Sequence, residues 1–348
     1  MIPIKNRRIM LIGGAGFIGH NLALKLKELG ADVCVVDGLQ VNNILTFQSS
    51  KEKTANRQLY LHILNQRLEL LRSAGIPMYA QDARDYYALS YLFTDIKPQV
   101  VVQLAAVAHS NKSNKDPYST FDHSFRTLEN ALDSSRDKVE HFIYFSSSMV
   151  YGHFNGHAVD ETTACEPLGI YGALKFGGEK LVIAYNQAFN LPYTIIRPSA
   201  LYGERCVSRR VGQVFIENAI KGADINIAGD GTDALDFTCI HDMVDGLIKV
   251  IENPASINQI LNMTYGEARH LAQMATIVQA YFPGVSINYV PKDKLMPDRG
   301  TLSVAKARKL IGYEPKWPLE KGLPAYIEWY KSLPENLTQA DVQPVTYG

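Results

Sequence analysis

A doubly wound α/β fold, in which helices cover both faces of a parallel sheet, is what this sequence predicts. Three observations carry it. Short Val- and Ile-rich runs alternate along the chain with stretches of helical periodicity, the pattern of strand–helix–strand units. These runs are apolar at nearly every position, as strands covered on both faces must be. The first of them leads straight into a glycine-rich turn that opens a helix.

The elements follow in order. Arg8 to Ile12 reads as a buried strand, and Gly13-Gly-Ala-Gly16-Phe17-Ile18-Gly19 as the turn. Leu22, Leu26 and Leu29 mark the helix that follows. Val33 to Val36 is the second strand, closed by Asp37. Residues 43–75 form an insert: a polar stretch from Gln48 to Asn56, then a helix from Gln58 to Arg72 with Leu61, Leu64, Leu68 and Leu71 on one face. Docking on the parent domain, an oligomer contact and a cap over a cofactor are its three readings. Pro77 to Ala80 is a short third strand ending near Asp82 and Ala83, and Val100 to Leu104 is the fourth, running into Ala105 and Ala106. Tyr118 to Ser135 reads as one helix, His141 to Phe145 as the fifth strand, Tyr171 to Asn190 as a long helix, and Tyr193 to Arg197 as the sixth strand. Beyond Gly203 the texture is turn-rich. A helix (211–221) and short strands (225–228, 237–240, 287–290) suggest a smaller, interleaved α/β lobe over residues 204–333. Within it, residues about 236–260 are apolar enough to pack back on the first domain (1–203), and 334–348 is a polar tail.

The chemistry gathers at strand ends, where open parallel sheets bind ligands. In the glycine turn, Gly13 permits the tight bend, Gly16 lets backbone approach a pyrophosphate, and Gly19 lets helix pack on strand. The helix N-terminus then offers its free N–H groups to the phosphates. Asp37, about twenty residues on, suits a ribose diol and repels a 2′-phosphate, which favours NAD over NADP. Tyr171 and Lys175 lie one turn apart on one helix face. An ammonium beside a phenol favours the phenolate, so Tyr171 can serve as a base once a hydride acceptor and a hydroxyl donor are at hand.

Composition narrows the field. The 35 basic and 35 acidic side chains cancel, which gives no sign of a nucleic-acid partner. Cys34, Cys165, Cys206 and Cys239 are scattered without metal-ligand spacing, the usage of reduced cytoplasmic thiols. His153 and His157 lack the Cys or carboxylate partners of a metal site, so no metal is expected. Neither a signal peptide nor a membrane span is read from the chain.

Taken together, the residues resemble the extended short-chain dehydrogenase/reductase family, in its nucleotide-sugar epimerase and dehydratase branch. The matches are Gly13 to Gly19, Asp37, Leu104-Ala-Ala106, Ser146-Ser-Ser-Met-Val-Tyr-Gly152, Asp160-Glu-Thr162, Tyr171-Gly-Ala-Leu-Lys175, Arg197-Pro198, Leu201-Tyr-Gly203, Gly229-Asp-Gly231, Asp236-Phe-Thr238 and Leu310 to Pro315. The resemblance implies a Rossmann-type domain holding NAD and a lobe gripping a nucleotide-diphospho-sugar, a UDP-sugar being favoured. It implies Ser147 as hydroxyl donor, Tyr171 as base and Lys175 as its charged neighbour and holder of the nicotinamide ribose. It places Gly13, Gly16, Phe17, Ile18, Gly19, Asp37, Asp82, Ala83, Leu104, Ala105, Ala106, Arg197 and Pro198 beside the dinucleotide. Ser148, Met149, Ser199, Arg205, Ile225, Asn226, Ile227 and Arg299 are placed on the substrate side. A homodimer through the 118–135 and 171–190 helices is the family expectation.

Departures from the family's pattern are informative. Dehydratases and decarboxylases of this branch carry a carboxylate just after the hydroxyl residue, where this chain has Ser148-Met149. A thioether shuttles no proton. A 4-epimerase needs only Ser147, Tyr171, Lys175 and NAD, so C4 epimerisation is the expected reaction. Dehydratase, decarboxylase, 2- or 5-epimerase and 4-keto reductase are the alternatives. Leu235 stands where an arginine often clamps the diphosphate, leaving Arg205, Arg209, Arg210 and Arg299 to replace it. The Arg209-Arg210 pair reads equally as a solvated helix start.

Overall fold

The computed structural model describes residues 1–48, 56–107, 110–291 and 297–339. Its strands in chain order begin with β1 (Arg8–Ile12), β2 (Asp32–Val36), β3 (Met78–Tyr79), β4 (Val100–Gln103), β5 (His141–Phe145) and β6 (Tyr193–Arg197). Short strands β7 (Leu201–Tyr202), β8 (Ile225–Ala228), β9 (Ala234–Leu235) and β10 (Thr238–Cys239) follow. They are succeeded by β11 (Gln259–Asn262), β12 (Arg269–His270) and β13 (Ile287–Val290). Among the described residues, seven strands make one sheet in the order β11-β6-β5-β4-β1-β2-β3, and every neighbouring pair is parallel. This is a Rossmann-like α/β sheet. The chain turns back across it between β1 and β4, which opens a crevice at the strands' carboxyl ends.

The unbroken apolar runs have a simple cause. Ile9 and Leu11 of β1 point into one core, Met10 and Ile12 into the other, and Val33/Val35 and Cys34/Val36 of β2 divide in the same way. Each such fully buried aliphatic side chain stabilises the fold by roughly 1.5–3 kcal/mol. Helices Phe17–Glu28, Arg57–Ser73 and Ile240–Glu252 cover the first face, and helices Tyr86–Ile96, Thr127–Ser135 and Gly169–Phe189 the second.

Two expectations are corrected. The sheet has a seventh strand, β11, which extends it beyond β6 and which apolar patterning did not signal because its buried residues are only Leu261 and Asn262. The 118–135 helix is interrupted: a helix Pro117–Phe121 passes through a π-helical turn, Asp122–Arg126, before Thr127–Ser135 resumes. Such turns insert one extra residue and shift the register of side chains after it. The helix of the insert docks on the parent domain, the first of its three readings, and is the crossover that parallel β2 and β3 require. Its buried face is Tyr60, Ile63, Leu64, Arg67 and Leu71, with Leu61 and Leu68 half-buried. Residues 49–55 of the polar stretch and 340–348 of the tail lie outside the described residues.

The crossover helix is tied to the smaller lobe by one buried carboxylate. Glu217, on the helix Val211–Ile220, accepts hydrogen bonds from Tyr60 Oη (2.7 Å), Tyr330 Oη (2.7 Å), Gln213 Nε2 (2.8 Å) and Asn56 Nδ2 (2.6 Å). Burial raises its carboxyl above the ordinary range, and these four donors oppose the shift. No helix among the described residues is long and apolar enough to cross a membrane. Glu217→Ala leaves those donors without an acceptor, at a cost of about 3 kcal/mol or more. The expected result is a fall in Tm of roughly 5–10 °C in calorimetry; an unchanged Tm would show that the network contributes little.

Candidate active site

Two clefts meet at the carboxyl ends of the strands, and Arg210 lines both. The first has walls from β1, β2, β4 and the connection after β3. It is lined by Gly13, Gly16, Phe17, Ile18, Gly19, Asp37, Asp82, Ala83, Leu104, Ala105 and Ala106. The sequence expectation put every one of these beside a dinucleotide. Gly13 has φ +80°, and a Cβ there would stand 2.6 Å from the Ala105 nitrogen, so only glycine fits the bend. Asp37 Oδ2 accepts from the Ala15 N–H (3.0 Å) and Oδ1 from the Leu39 N–H (2.7 Å). Burial raises its carboxyl above the usual value, and those two N–H groups pull it back. Asp82 accepts from Gln40 Nε2 (3.0 Å) and from Arg84, whose Nη1 also reaches Asp122 Oδ2 (2.7 Å). Burial opposes it, but Arg84 holds the Asp82 carboxyl below its ordinary value.

His123, on the π-helical turn, completes this end of the cleft. Its Nδ1 lies 2.9 Å from the Ser119 carbonyl and its Nε2 3.0 Å from Gln40 Oε1.

The second cleft is lined by Ser147, Ser148, Met149, Tyr171, Pro198, Ser199 and Arg299, with Arg209, Leu235, Phe237 and Met274 among the rest. Ser147 follows β5 by two residues; it is extended (φ −161°, ψ 153°), and its Oγ accepts the Met149 N–H (3.2 Å). Tyr171 stands in the same cleft, in the first turn of the helix Gly169–Phe189. Gly172 permits this approach: a Cβ there would stand 2.9 Å from the Met149 carbonyl oxygen. One turn on, Lys175 is buried and donates to the carbonyl of Phe145 at the end of β5 (2.6 Å). Burial pushes its ammonium down to about 8, with Glu179 partly opposing.

A sequence profile of the NAD dependent epimerase/dehydratase family matches residues 9–264. The chain belongs to that family. The family makes it an NAD-dependent nucleotide-sugar epimerase, with NAD as cofactor. The uncharacterized UDP-glucose epimerase YtcB of Bacillus subtilis is 30% identical over 67% of this chain and 75% of its own. The UDP-glucuronate 4-epimerase of Thermodesulfobacterium geofontis is 26% identical over 92% of this chain and 95% of its own. Among solved structures, a tyrosine-to-phenylalanine mutant of the Bacillus cereus UDP-glucuronic acid 4-epimerase, bound to NAD and a fluorinated UDP-sugar, superposes with a TM-score of 0.83. It is 25% identical, over 93% of this chain and 98% of that one. The cleft of this member fits a dinucleotide: the first residues of the Phe17–Glu28 helix line it with their unpaired backbone N–H groups, and the Asp37 carboxylate lines it too.

Several expected site residues sit elsewhere. The Arg197 guanidinium is 3% exposed and bound by Glu179 (2.6 and 2.9 Å), with Nη1 donating to Tyr151 Oη (2.9 Å). It braces the fold and is not among the lining residues of the first cleft, because a strand's last residue can point inward as readily as out. Pro198 lines the second cleft rather than the first. Arg205 turns away, paired with Glu204 (3.1 Å) and lying over the Trp329 ring. Ile225 and Ile227 are core residues and Asn226 lies between them on β8, paired to β13; none is among the cleft's lining residues. Arg209 and Arg210 do line it, so the pair is no mere solvated helix start. Arg67 was not foreseen in the first cleft. The available signal was its place on the apolar stripe of its helix, where a lone guanidinium is out of character.

The position of Lys175 sets a pH dependence. A group whose ammonium form is disfavoured by burial stays charged below about 8 and loses its proton above. If the cation is the working form, kcat/KM is flat on the acid side of about 8 and falls as pH rises through it. Lys175→Met is expected to lower kcat by about 10²–10⁴-fold at about pH 7; steady-state profiles of both proteins check this.

Proposed function

We propose that this enzyme inverts C4 of a nucleotide-diphospho-sugar by way of a transient 4-keto sugar. One observation carries the reading: Ser147 and Tyr171 share a cleft with Met149, and Lys175 is buried one turn below. NAD, held in the first cleft by the glycine turn and Asp37, would supply a reversible hydride acceptor for C4. Tyr171 removes the C4 hydroxyl proton and gives it back after the sugar has turned over. The Ser147 hydroxyl donates to the same oxygen and supports its charge as the carbonyl forms. Lys175 supplies a positive charge in a water-poor setting, where such a charge acts strongly. Elimination of water or loss of a carboxylate would call for another acid at the Ser148–Met149 turn, and none stands there.

Arg299 favours a sugar with a carboxylate on C6; UDP-glucuronate 4-epimerases are among the similar proteins, as are UDP-glucose 4-epimerases, and the arginine is what tips the reading to a UDP-uronate. Its Nη2 donates to Ser148 Oγ (2.5 Å) and Ser199 Oγ (2.8 Å), beside Ser147 and at the reacting end of the cleft. Burial lowers its pKa to about 10, with Tyr171 opposing. Arg209 and Arg210, at the start of the Val211–Ile220 helix, are the residues that would hold the diphosphate in place of the arginine missing at Leu235. Incubation with UDP-glucose, UDP-GlcNAc and UDP-glucuronate, without added NAD, is expected to give 4-epimers, fastest for the uronate. Failure with these and other nucleotide sugars overturns the reaction. Arg299→Leu is expected to cost the uronate about 10²-fold in kcat/KM and neutral sugars far less; equal losses overturn the carboxylate assignment.

We also propose a homodimer. Tyr87 and Tyr118 are 84% and 86% exposed, and Tyr91, Phe121 and Phe189 are exposed on neighbouring helices of the same sheet face. Sedimentation is expected to show two copies, and Phe121→Asp to shift the balance to monomer; a monomeric parent protein refutes this.

A further inference from the structure

We propose that Arg67, carried by the crossover helix Arg57–Ser73, is a phosphate-binding residue of the dinucleotide site. Its side chain is 1% exposed, yet it lines the first cleft together with Gly16, Gly19 and Asp37. Nε donates to the carbonyl of Arg205 (2.9 Å), and Nη2 donates to the same oxygen. Among the described residues no carboxylate comes within ion-pair distance, and Nη1 has no partner. Asp37 acts on it only through the longer-range field, with both its own oxygens held by backbone N–H groups.

A guanidinium buried with no carboxylate in contact is unfavourable, with Asp37 offsetting this only from a distance, and a bound anion lessens that disadvantage. The neighbours decide which anion. The helix beginning at Phe17 presents free N–H groups to the same cleft, and Gly16, which precedes it, puts no side chain there. Asp37 repels a phosphate on the ribose diol. What remains for Arg67 is the pyrophosphate of the dinucleotide.

The bond to Arg205 makes a second role visible. Arg205 has φ +63°, a left-handed conformation that a residue with a side chain adopts at a cost. The Arg67 contact holds it there. The same loop carries Ser208 and Arg210, both of which line the dinucleotide cleft. A strut and a phosphate ligand are therefore separable only by experiment.

The test measures binding, not turnover, so it stands apart from the reaction proposed above. Arg67→Gln keeps a donor for the Arg205 carbonyl and removes the charge; Arg67→Lys keeps the charge. Affinities for NAD, ADP-ribose and adenosine are measured by calorimetry on protein freed of nucleotide, with Tm recorded for each variant. For Arg67→Gln we expect NAD and ADP-ribose to weaken about 10- to 100-fold, adenosine to stay within about twofold, and the salt dependence of NAD binding to flatten. Arg67→Lys is expected to recover most of the loss. NAD affinity within about twofold of the parent overturns the assignment. So does an equal loss for adenosine, or a loss that Lys fails to restore, either of which marks Arg67 as a strut alone.

Discussion

The buried pair of Glu179 and Arg197 is the contact on which the rest of the site depends. Both side chains are almost wholly inaccessible, 1% and 3% exposed, and they meet through two parallel hydrogen bonds. Glu179 lies on the helix that carries Tyr171 and Lys175; Arg197 ends β6. Ser146, beside Ser147, donates to the same carboxylate, and Tyr151, at the far end of the serine turn, accepts from the same guanidinium. Three pieces of chain, the long helix, β6 and both ends of the serine turn, are thus fixed to one another beside the second cleft. A buried pair of this kind is weak evidence for stability, since desolvation offsets most of the attraction. Its geometric demand is strict, and geometry is what a proton-transfer site needs.

From that base the two clefts acquire their separate characters. The first is built from backbone and small residues at the strand ends, suited to a long, flat, charged cofactor. The second is walled by side chains of the serine turn, the long helix and the smaller lobe. Arg210 belongs to both, and Arg67 holds the loop on which Arg210 sits. Positive charge is concentrated where the phosphates of cofactor and substrate would come nearest to each other, and Glu217 and its four donors keep that junction from separating.

Much of this was legible from the chain. The glycine turn, Asp37 and the Tyr171–Lys175 spacing are local patterns, each governed by a few adjacent φ/ψ values or by one helical turn. The structure puts the first two in one cleft and Tyr171 in the other, with Lys175 buried a turn below. Ser147 came from the family resemblance, by its place four residues before Tyr151 of Val150-Tyr151-Gly152. What escaped was long-range. Arg197 reads as a cofactor ligand in the sequence because its partner lies 18 residues away, across a helix–strand contact. Arg205 and Arg210 could not be told apart, since a left-handed turn at Arg205 sends one inward to Trp329 and leaves the other in the cleft. The strand β11 was missed because it is short and only half apolar, and pairing with β6 alone makes it a strand.

By itself, then, the sequence determined the sheet class, the glycine turn and the one-turn spacing of Tyr171 and Lys175, because periodicity and glycine geometry act over a few residues. Only the tertiary structure decided which arginines face a ligand and which brace the core. A guanidinium reaches several ångströms from its Cα, so its role is set by whichever carboxylate, carbonyl or empty cleft the fold brings within that reach.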